Sequence, residues 1–338
     1  MASPLVSVIV PTRNRADKIV ECLEALARQT YANLEVVVID DASSDGTQDA
    51  IQRFRGRHPR FQLTVLVNSP QRGANPSRNR GIAASRGELI AFEDDDCIAE
   101  PDWIAQLVAG FVSERVGAVT GIVLDPRPRN IYDLAFRGTH RVYGKVHATR
   151  LIAGNMCVRR ALLDGKLDED RAAVSADLSV SGRGDEEDLF LKLKAEGHEI
   201  RVAHDARVLH VHYYTRQAFY RQAWKGGMSA ARLGYKYHLK PRPELLCLAG
   251  GYLFGASAPI APLNVVPSAF CFGAFAGATL GYNELVRKKK TLLEALRVAP
   301  VMTAYYHVRT AGYLTQYARL LLGRERLERV KLAGRAHG

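Results

Sequence analysis

The sequence predicts a three-layer α/β domain with a mostly parallel sheet, followed by a C-terminal helical region. Two observations predict the α/β domain, which we expect to span residues 1–235. Short apolar segments alternate with helical patterns, and several apolar segments run directly into polar clusters. Strands separated by helices are typical of a parallel sheet with helices on both faces. A third observation predicts the separate region 236–338, because residues 245–282 contain no charged residue.

Each element is predicted from its local pattern. A strand is predicted where an apolar run lies between turn-forming residues, and a helix where apolar residues recur three or four positions apart. Strands are predicted at 5–10, 34–40, 62–68, 88–93, 116–123, 198–203 and 207–212. Helices are predicted at 16–29, 77–85, 103–112, 187–196 and 217–233, with a further helix opened by Ser44 or Asp45 as its cap. Residues 124–183 show no clean period and are expected to be irregular.

Composition narrows the classes of function. The chain of 338 residues has a net charge of +12, which favours an anionic partner such as nucleic acid, a nucleotide or an acidic membrane surface. We expect no nucleic-acid binding, because no motif of the known nucleic-acid-binding modules is present. Five cysteines without a CxxC pair predict neither a zinc site nor a disulfide framework. They favour a reducing compartment, and the N-terminus lacks the pattern of a signal peptide, so we expect the domain to be cytoplasmic.

Four consecutive acids, Glu93, Asp94, Asp95 and Asp96, follow the apolar segment 88–92. Their mutual repulsion is costly unless a cation or hydrogen-bond donors relieve it. At the end of a strand they could hold a divalent cation through oxygen ligands while that cation meets a diphosphate. The alternative is an acidic turn that faces solvent.

Other polar groups follow neighbouring strands of the predicted sheet. Asp40 and Asp41 end one strand, and the segment 11–14 ends the first. A carboxylate here can accept a hydrogen bond from a base or a ribose hydroxyl, although these residues also suit a turn and a helix cap. The segment 73–79 adds a glycine turn and the guanidinium of Arg78. In parallel sheets ligands bind at the carboxyl ends of the strands, so these groups are expected to share one site.

The order of these segments resembles the family 2 glycosyltransferases, which have the GT-A fold, a Rossmann-like α/β fold. Over residues 5–235 the matching segments are VSVIVPTRNR, EVVVIDDASSDGT, GANPSRNRGIAASRGELIAFEDDD and GDEEDLFLKL. The resemblance implies an inverting transfer of a sugar from a nucleotide-diphosphate donor, with a UDP-sugar favoured, to a hydroxyl group. It also implies a divalent cation, Mg²⁺ or Mn²⁺, as cofactor.

The resemblance assigns roles residue by residue. Pro11, Thr12 and Arg13 would line the base pocket, and Asp41 would bind the base. The segment 94–96 resembles the DXD motif, so that Asp94 and Asp95 would lie against the donor and Asp96 would bind the metal. The remaining donor-side positions would be Arg78, close to the nucleotide, and Asn155, close to the sugar and acceptor.

The catalytic base is expected at the start of the predicted helix 187–196. The acids at 185–188 resemble the family's Glu-Asp-x-Asp element, whose second acid matches Glu186, with Asp185 as the alternative. A carboxylate there can take the proton of the attacking hydroxyl, whereas acids at a helix start can also serve only the helix dipole. His210 and His212 lie on one face of a predicted strand. We expect His210 to be a second metal ligand, with His212 a further candidate.

The C-terminal region is expected to associate with a membrane. The uncharged segment 245–282 is long enough for a helical hairpin, and residues 284–335 read as a basic, amphipathic tail. The expected location is therefore the cytoplasmic face of the membrane, with membrane lipids and a glycan or lipid-linked acceptor as partners. The alternative is a helical hairpin buried in a soluble domain or in the interface of a homo-oligomer. The main alternative function is a non-catalytic GT-A-like scaffold subunit of a membrane polysaccharide assembly.

Overall fold

The structure is a computed structural model that describes residues 3–137, 148, 150–163, 167, 185–238, 250–251, 265–276 and 290–322. The chain divides into two compact units. Unit 1 comprises the described residues within Met1–Pro126 and His140–His212, and unit 2 those within Arg127–Thr139 and Tyr213–Leu332. The predicted boundary after residue 235 instead falls at the end of a long helix that belongs wholly to unit 2.

The strands are β1 Val6–Thr12, β2 Leu34–Asp40, β3 Leu63–Val67, β4 Leu89–Phe92, β5 Cys97–Ala99, β6 Val116–Leu124, β7 Met156–Arg159 and β8 Glu199–His210. The helices are α1 Ala16–Ala27, α2 Thr47–Arg57, α3 Ala74–Ala84, α4 Trp103–Ala109, α5 Ile131–Phe136, α6 Asp185–Ala195, α7 Arg216–Lys236, α8 Val265–Ala276 and α9 Leu292–Leu321. Most predicted elements are present within a few residues of their expected bounds.

The sheet of unit 1 is mixed, which corrects the prediction of a mostly parallel sheet. Its eight strands lie in the order β3-β2-β1-β4-β7-β6-β8-β5. The first four are parallel, but β7 runs antiparallel to both β4 and β6, and β5 runs antiparallel to β8. Neither β5 nor β7 was predicted, because β5 directly follows the four acids and β7 lies within residues 124–183, which show no clean period.

Helices cover both faces of this sheet, as predicted. Alternate residues of β1 point to opposite faces, so Val8 and Val10 join one core while Ile9 joins the other. The first core receives apolar residues of α1, α2 and α4, and the second receives residues of α3 and α6. Since both faces are buried, the ligand-binding edge of the sheet is left at the ends of its strands.

Unit 2 is helical in the residues that the structure describes. Its core is an aromatic and aliphatic cluster from α5, α7 and α9, centred on Phe219 and Tyr305. The helix α9 begins with a capping box formed by Thr291 and Glu294. Among the described residues, no helix is long and apolar enough to cross a membrane. The predicted hairpin 245–282 lies largely outside the described residues.

Candidate active site

Three neighbouring parallel strands bring the predicted polar segments to one edge of the sheet. In the register of β1 with β2, Thr12 lies opposite Asp40, and Ile9 of β1 lies opposite Phe92 of β4. The segments that follow β1, β2 and β4 therefore leave the sheet side by side. The segments that were expected to share one site therefore lie along one edge of the sheet.

The four consecutive acids divide among different environments. Thr12 Oγ1 donates a hydrogen bond of 2.6 Å to Asp95 Oδ2, and Arg78 forms an ion pair of 2.8 Å with Asp94. Asp96 turns toward the end of β8, and Glu93 is fully buried on the side of α1. The segment is thus not a solvated acidic turn, because Glu93, Asp95 and Asp96 are all buried.

Asp96 lies between two imidazoles. Cys97 pairs with His210 across the antiparallel β5–β8 ladder, which sets His210 Nε2 3.3 Å from Asp96 Oδ1. His212 Nδ1 lies 3.1 Å from Asp96 Oδ2, and the two rings stack with centroids 5.5 Å apart. One ligand atom from each of these three side chains lies within 4.8 Å of the others. A carboxylate with two imidazoles is a donor set that suits Mn²⁺ and related cations.

Electrostatics in this cluster are strongly coupled. Burial alone would raise the pKa of Asp96, but hydrogen bonds and charge from His210 and His212 hold that pKa well below its usual value. Burial would likewise lower the pKa of His210, yet its hydrogen bond to Asp96 and the neighbouring acids raise it above 6.5. Burial, followed by the charge of Asp96, raises the pKa of Asp95 to about 7. Arg15 adds an ion pair of 3.6 Å to Asp96.

The carboxylate of Asp41 closes a turn. It accepts hydrogen bonds from Asn68 Nδ2 and from the backbone N–H groups of Arg72 and Gly73, at 2.7–2.8 Å. Gly73 has a φ of +99°, which other residues adopt only with strain. In the structure Asp41 therefore fixes the loop before α3, and its predicted contact with a base stays a prediction. The neighbouring Asp40 is fully buried, and its Oδ2 has no hydrogen-bond partner among the described residues.

The other donor-side candidates differ in availability. Pro11 and Arg13 are half-buried at the end of β1, and Arg13 Nε is buried without a partner among the described residues. Arg78 is almost fully buried beside Asp94. Asn155 is fully buried. Its Oδ1 accepts a hydrogen bond from Trp103 Nε1, and its Nδ2 donates to the carbonyl oxygens of Ile122 and Ala206. These contacts make Asn155 a support of the sheet, and a role next to the sugar stays a prediction.

The predicted catalytic base lies in the first turn of α6. Glu186 is half-buried there, whereas the side chain of Asp185 lies outside the described residues. Leu189 and Leu193 anchor the helix in the core that also contains Phe92 of β4. Asp188 is buried and forms an ion pair of 2.9 Å with Lys192, a structural role. The assignment of the base to Glu186 or Asp185 stays a prediction.

Sequence reasoning missed Arg15 at this edge of the sheet. Arg15, which forms an ion pair with Asp96, lies two positions after Arg13 in the motif PTRNR, and that spacing was the available signal. Asp40 was named with Asp41 as a candidate acceptor, and its buried Oδ2 has no hydrogen-bond partner among the described residues. No other local pattern distinguishes Arg15 from the arginines that surround it.

Comparison with known proteins identifies this part of the chain. Residues 7–161 match the family described as Glycosyl transferase family 2. This segment belongs to glycosyl transferase family 2. Among its relatives, glycosyltransferase AglE of Haloferax volcanii is 37% identical over 122 residues, 36% of this chain and 40% of AglE. Chondroitin synthase of Pasteurella multocida is 30% identical over 112 residues, 33% of this chain and 11% of that protein. The matches thus span less than half of these relatives.

A solved structure extends the likeness beyond the family 2 segment. The mannosyltransferase PcManGT from Pyrobaculum calidifontis, in complex with GDP-Man and Mn²⁺, aligns with 96% of this chain and 89% of its own. The TM-score is 0.59 at 22% sequence identity. At this identity the likeness concerns the fold alone, and it supports the predicted GT-A class.

Proposed function

We propose that the protein is a glycosyltransferase that transfers a sugar from a nucleotide-diphosphate donor to a hydroxyl group of an acceptor. The observation that carries the proposal is the cluster of Asp96, His210 and His212 at the strand-end edge of a family 2 domain. It is supported by PcManGT, which has a related fold and binds a nucleotide sugar with Mn²⁺.

The donor would lie along the edge formed by β1, β2 and β4. Pro11, Thr12 and Arg13 would form the base pocket, and Arg13 Nε, which has no hydrogen-bond partner among the described residues, would donate to a base or ribose oxygen. Arg78 would orient the nucleotide by way of Asp94, to which it is already bound. We favour a UDP-sugar on the resemblance alone.

Asp96 and His210, with His212 beside them, would hold Mg²⁺ or Mn²⁺. When bound, such a cation stabilises the charge that develops on the departing diphosphate. The donor set fits this role, because Asp96 remains ionised and both imidazoles present a ring nitrogen to the same point. Arg15, at the rim of the cluster, would add positive charge.

Transfer would proceed with inversion, by direct attack of the acceptor hydroxyl on the anomeric carbon. A carboxylate must then take the hydroxyl proton, and Glu186 or Asp185 at the start of α6 would do so. The supporting observation is the half-burial of Glu186 in the first turn of a helix whose Leu189 and Leu193 lie in the core of unit 1. No covalent enzyme intermediate is needed.

The acceptor would be a glycan or a lipid-linked glycan in the synthesis of a surface polysaccharide or glycolipid. Chondroitin synthase, a relative of the family 2 segment, is named for a polysaccharide product. We place the reaction at the cytoplasmic face of the membrane, where the free cysteines Cys22, Cys97 and Cys157 would remain reduced.

Release of a nucleoside diphosphate tests the proposal. Incubation with UDP-, GDP- and dTDP-sugars and Mn²⁺ should release one diphosphate, and excess EDTA should abolish the release. Asp96→Asn should lose the activity, while Asp205→Asn, an exposed acid of β8 paired with Arg207, should keep it. If no donor binds or turns over under any condition, the non-catalytic scaffold becomes the better interpretation.

A further inference from the structure

Two of the acids that follow β4 are paired with arginines, and the two pairs differ. Arg78 Nη2 lies 2.8 Å from Asp94 Oδ1, and the side chain of Arg78 is only 5% exposed. Arg15 Nη1 lies 3.6 Å from Asp96 Oδ2, and the side chain of Arg15 is 37% exposed. The first distance is that of a hydrogen-bonded ion pair, whereas the second is longer than a hydrogen bond. Arg78 is therefore held in place, and the pair made by Arg15 is the one that can exchange its partner.

The backbone of Arg15 is fixed although its side chain is not. The N–H of Arg15 donates to Thr47 Oγ1, and the N–H of the preceding Asn14 donates to Ser43 Oγ, both at 2.9 Å. Among the described residues, the guanidinium of Arg15 donates no hydrogen bond and has Asp96 as its ion-pair partner. A change of rotamer can therefore move this charge away from Asp96 while the main chain stays where it is.

The carboxylate that Arg15 faces also belongs to the candidate metal cluster with His210 and His212. Its Oδ2 lies 3.1 Å from His212 Nδ1 as well as 3.6 Å from Arg15 Nη1. A divalent cation held by this carboxylate would lie beside the guanidinium, and two positive charges that close to each other repel. Arg15 and a cation therefore compete for Asp96 unless a further negative group is added.

The diphosphate of a nucleotide is such a negative group. Phosphate oxygens bind divalent cations, and they also match the planar fork of an arginine, which can donate two parallel hydrogen bonds to them. Arg78 already uses its Nη2 on Asp94, whereas the guanidinium donors of Arg15 are not taken up by any described residue. Arg15 is thus the arginine of this pair that can change from a carboxylate partner to a phosphate partner.

We propose that Arg15 couples the binding of the cation to the binding of the nucleotide. Its guanidinium competes with the cation for Asp96 when no nucleotide is bound, and it moves to the diphosphate when the nucleotide binds. The protein alone then holds the cation weakly, and the protein with its nucleotide holds the cation tightly. This inference rests on the proposed function, because it needs a metal site at Asp96 and a donor with a diphosphate.

The test measures two affinities of the full chain by titration calorimetry. The first is the affinity for Mn²⁺ alone, and the second is the affinity of the Mn²⁺-saturated protein for UDP, GDP or inorganic pyrophosphate. Arg15→Gln should bind Mn²⁺ alone roughly threefold more tightly or better, because a positive charge beside Asp96 is gone. The same variant should bind the diphosphate that the wild type binds roughly tenfold more weakly, because a charge-assisted contact is lost.

Two control variants accompany Arg15→Gln. Arg53→Gln, at an exposed position of α2, changes the net charge equally and should leave both affinities as in the wild type. Arg15→Lys keeps the charge without the planar fork, so it should bind Mn²⁺ alone nearly as the wild type does and recover part of the affinity for the diphosphate. A purely structural role of Arg15 would weaken both affinities together, whereas the proposal requires that they shift in opposite directions.

The outcomes separate this inference from the proposed function. An unchanged affinity for Mn²⁺ alone in Arg15→Gln would show that Arg15 does not compete with the cation. An unchanged affinity for the diphosphate would show that Arg15 does not bind it. Either result overturns the coupling and leaves the metal site in place. If the wild type binds Mn²⁺ no better than Asp96→Asn does, the metal site of the proposed function fails, and the coupling fails with it.

Discussion

The cluster at Asp96 predicts that metal binding and proton release are linked. His210 has a pKa above 6.5, so in the metal-free protein it is mostly protonated between pH 5.5 and 6.5. A metal ligand must be neutral imidazole, and binding must therefore displace that proton. The affinity for Mn²⁺ should rise by up to about tenfold over this pH unit, since one proton leaves for each ion bound.

Replacement of Asp96 by Asn tests the contribution of the carboxylate to the same cluster. Asp96 has two imidazoles within 3.3 Å and is buried, so the amide would lose a full charge at the centre of the donor set. Loss of a mere supporting partner of a metal ligand costs about 10–100-fold in affinity. We expect Asp96→Asn to cost at least about 100-fold, and the pKa of His210 to fall because the carboxylate that raises it is gone.

The assay is titration calorimetry with Mn²⁺ and a nucleoside diphosphate, in two buffers of different ionisation enthalpy, which counts the protons released. Asp205→Asn, on the same strand but exposed, is the matched control and should behave as the wild type. The reasoning fails if the affinity is flat between pH 5.5 and 6.5 with no proton released. It also fails if Asp96→Asn binds Mn²⁺ as tightly as the control.

Four further predictions concern catalysis and stability. Glu186→Gln should lower turnover about 10²–10⁴-fold with nucleotide binding unchanged, and a mild effect in steady-state assays would transfer the role of base to Asp185. NMR of the product formed from an α-linked donor should show a β linkage, and retention would refute inversion. Gly227→Ala should destabilise unit 2 by about 3 kcal/mol in thermal unfolding, because its Cβ would meet the backbone of α9, whereas Gly56→Ala, in open space on α2, should be neutral or stabilising. Burial raises the pKa of Glu93 well above its usual value, so folding takes up a proton and stability falls as pH rises from about 4.5 toward the folded pKa. In urea unfolding, the free energy of unfolding should fall less between pH 5 and pH 8 for Glu93→Gln than for the wild type. An equal fall in both proteins would contradict a neutral Glu93.

Local pattern was enough to predict much of the α/β unit. The second strand was predicted with its observed bounds, Leu34–Asp40, because its buried apolar centre is long enough to define both ends of the strand. The clusters at Asp41 and Asp96 were predicted to meet because parallel strands end at a common edge. These conclusions depend only on neighbouring residues and on a general rule for sheets.

Features set by distant pairing could not be predicted in this way. Two strands were predicted, at 198–203 and 207–212, because His204 and Asp205 interrupt the apolar pattern, yet β8 runs without a break from Glu199 to His210. The polar residues are accommodated by a shift in the pairing register with β6, between Thr120 and Ile122. This partner strand is about 80 residues away in the sequence. The closure of the turn at Gly73 by Asp41 likewise depends on a contact between separate loops.

The antiparallel pairing of β5 with β8 determines when, during synthesis of the chain, the candidate metal-binding residues can come together. Asp96 and His212 are 116 positions apart in the sequence, and the pairing of β5 with β8 brings their side chains together. A ribosome-bound chain that has completed the segment of family resemblance, which ends at residue 161, possesses the acids but not yet the imidazoles. Such a nascent chain would have only part of its metal-binding donor set. Completion of that donor set therefore coincides with completion of the sheet, and a truncated product would lack it.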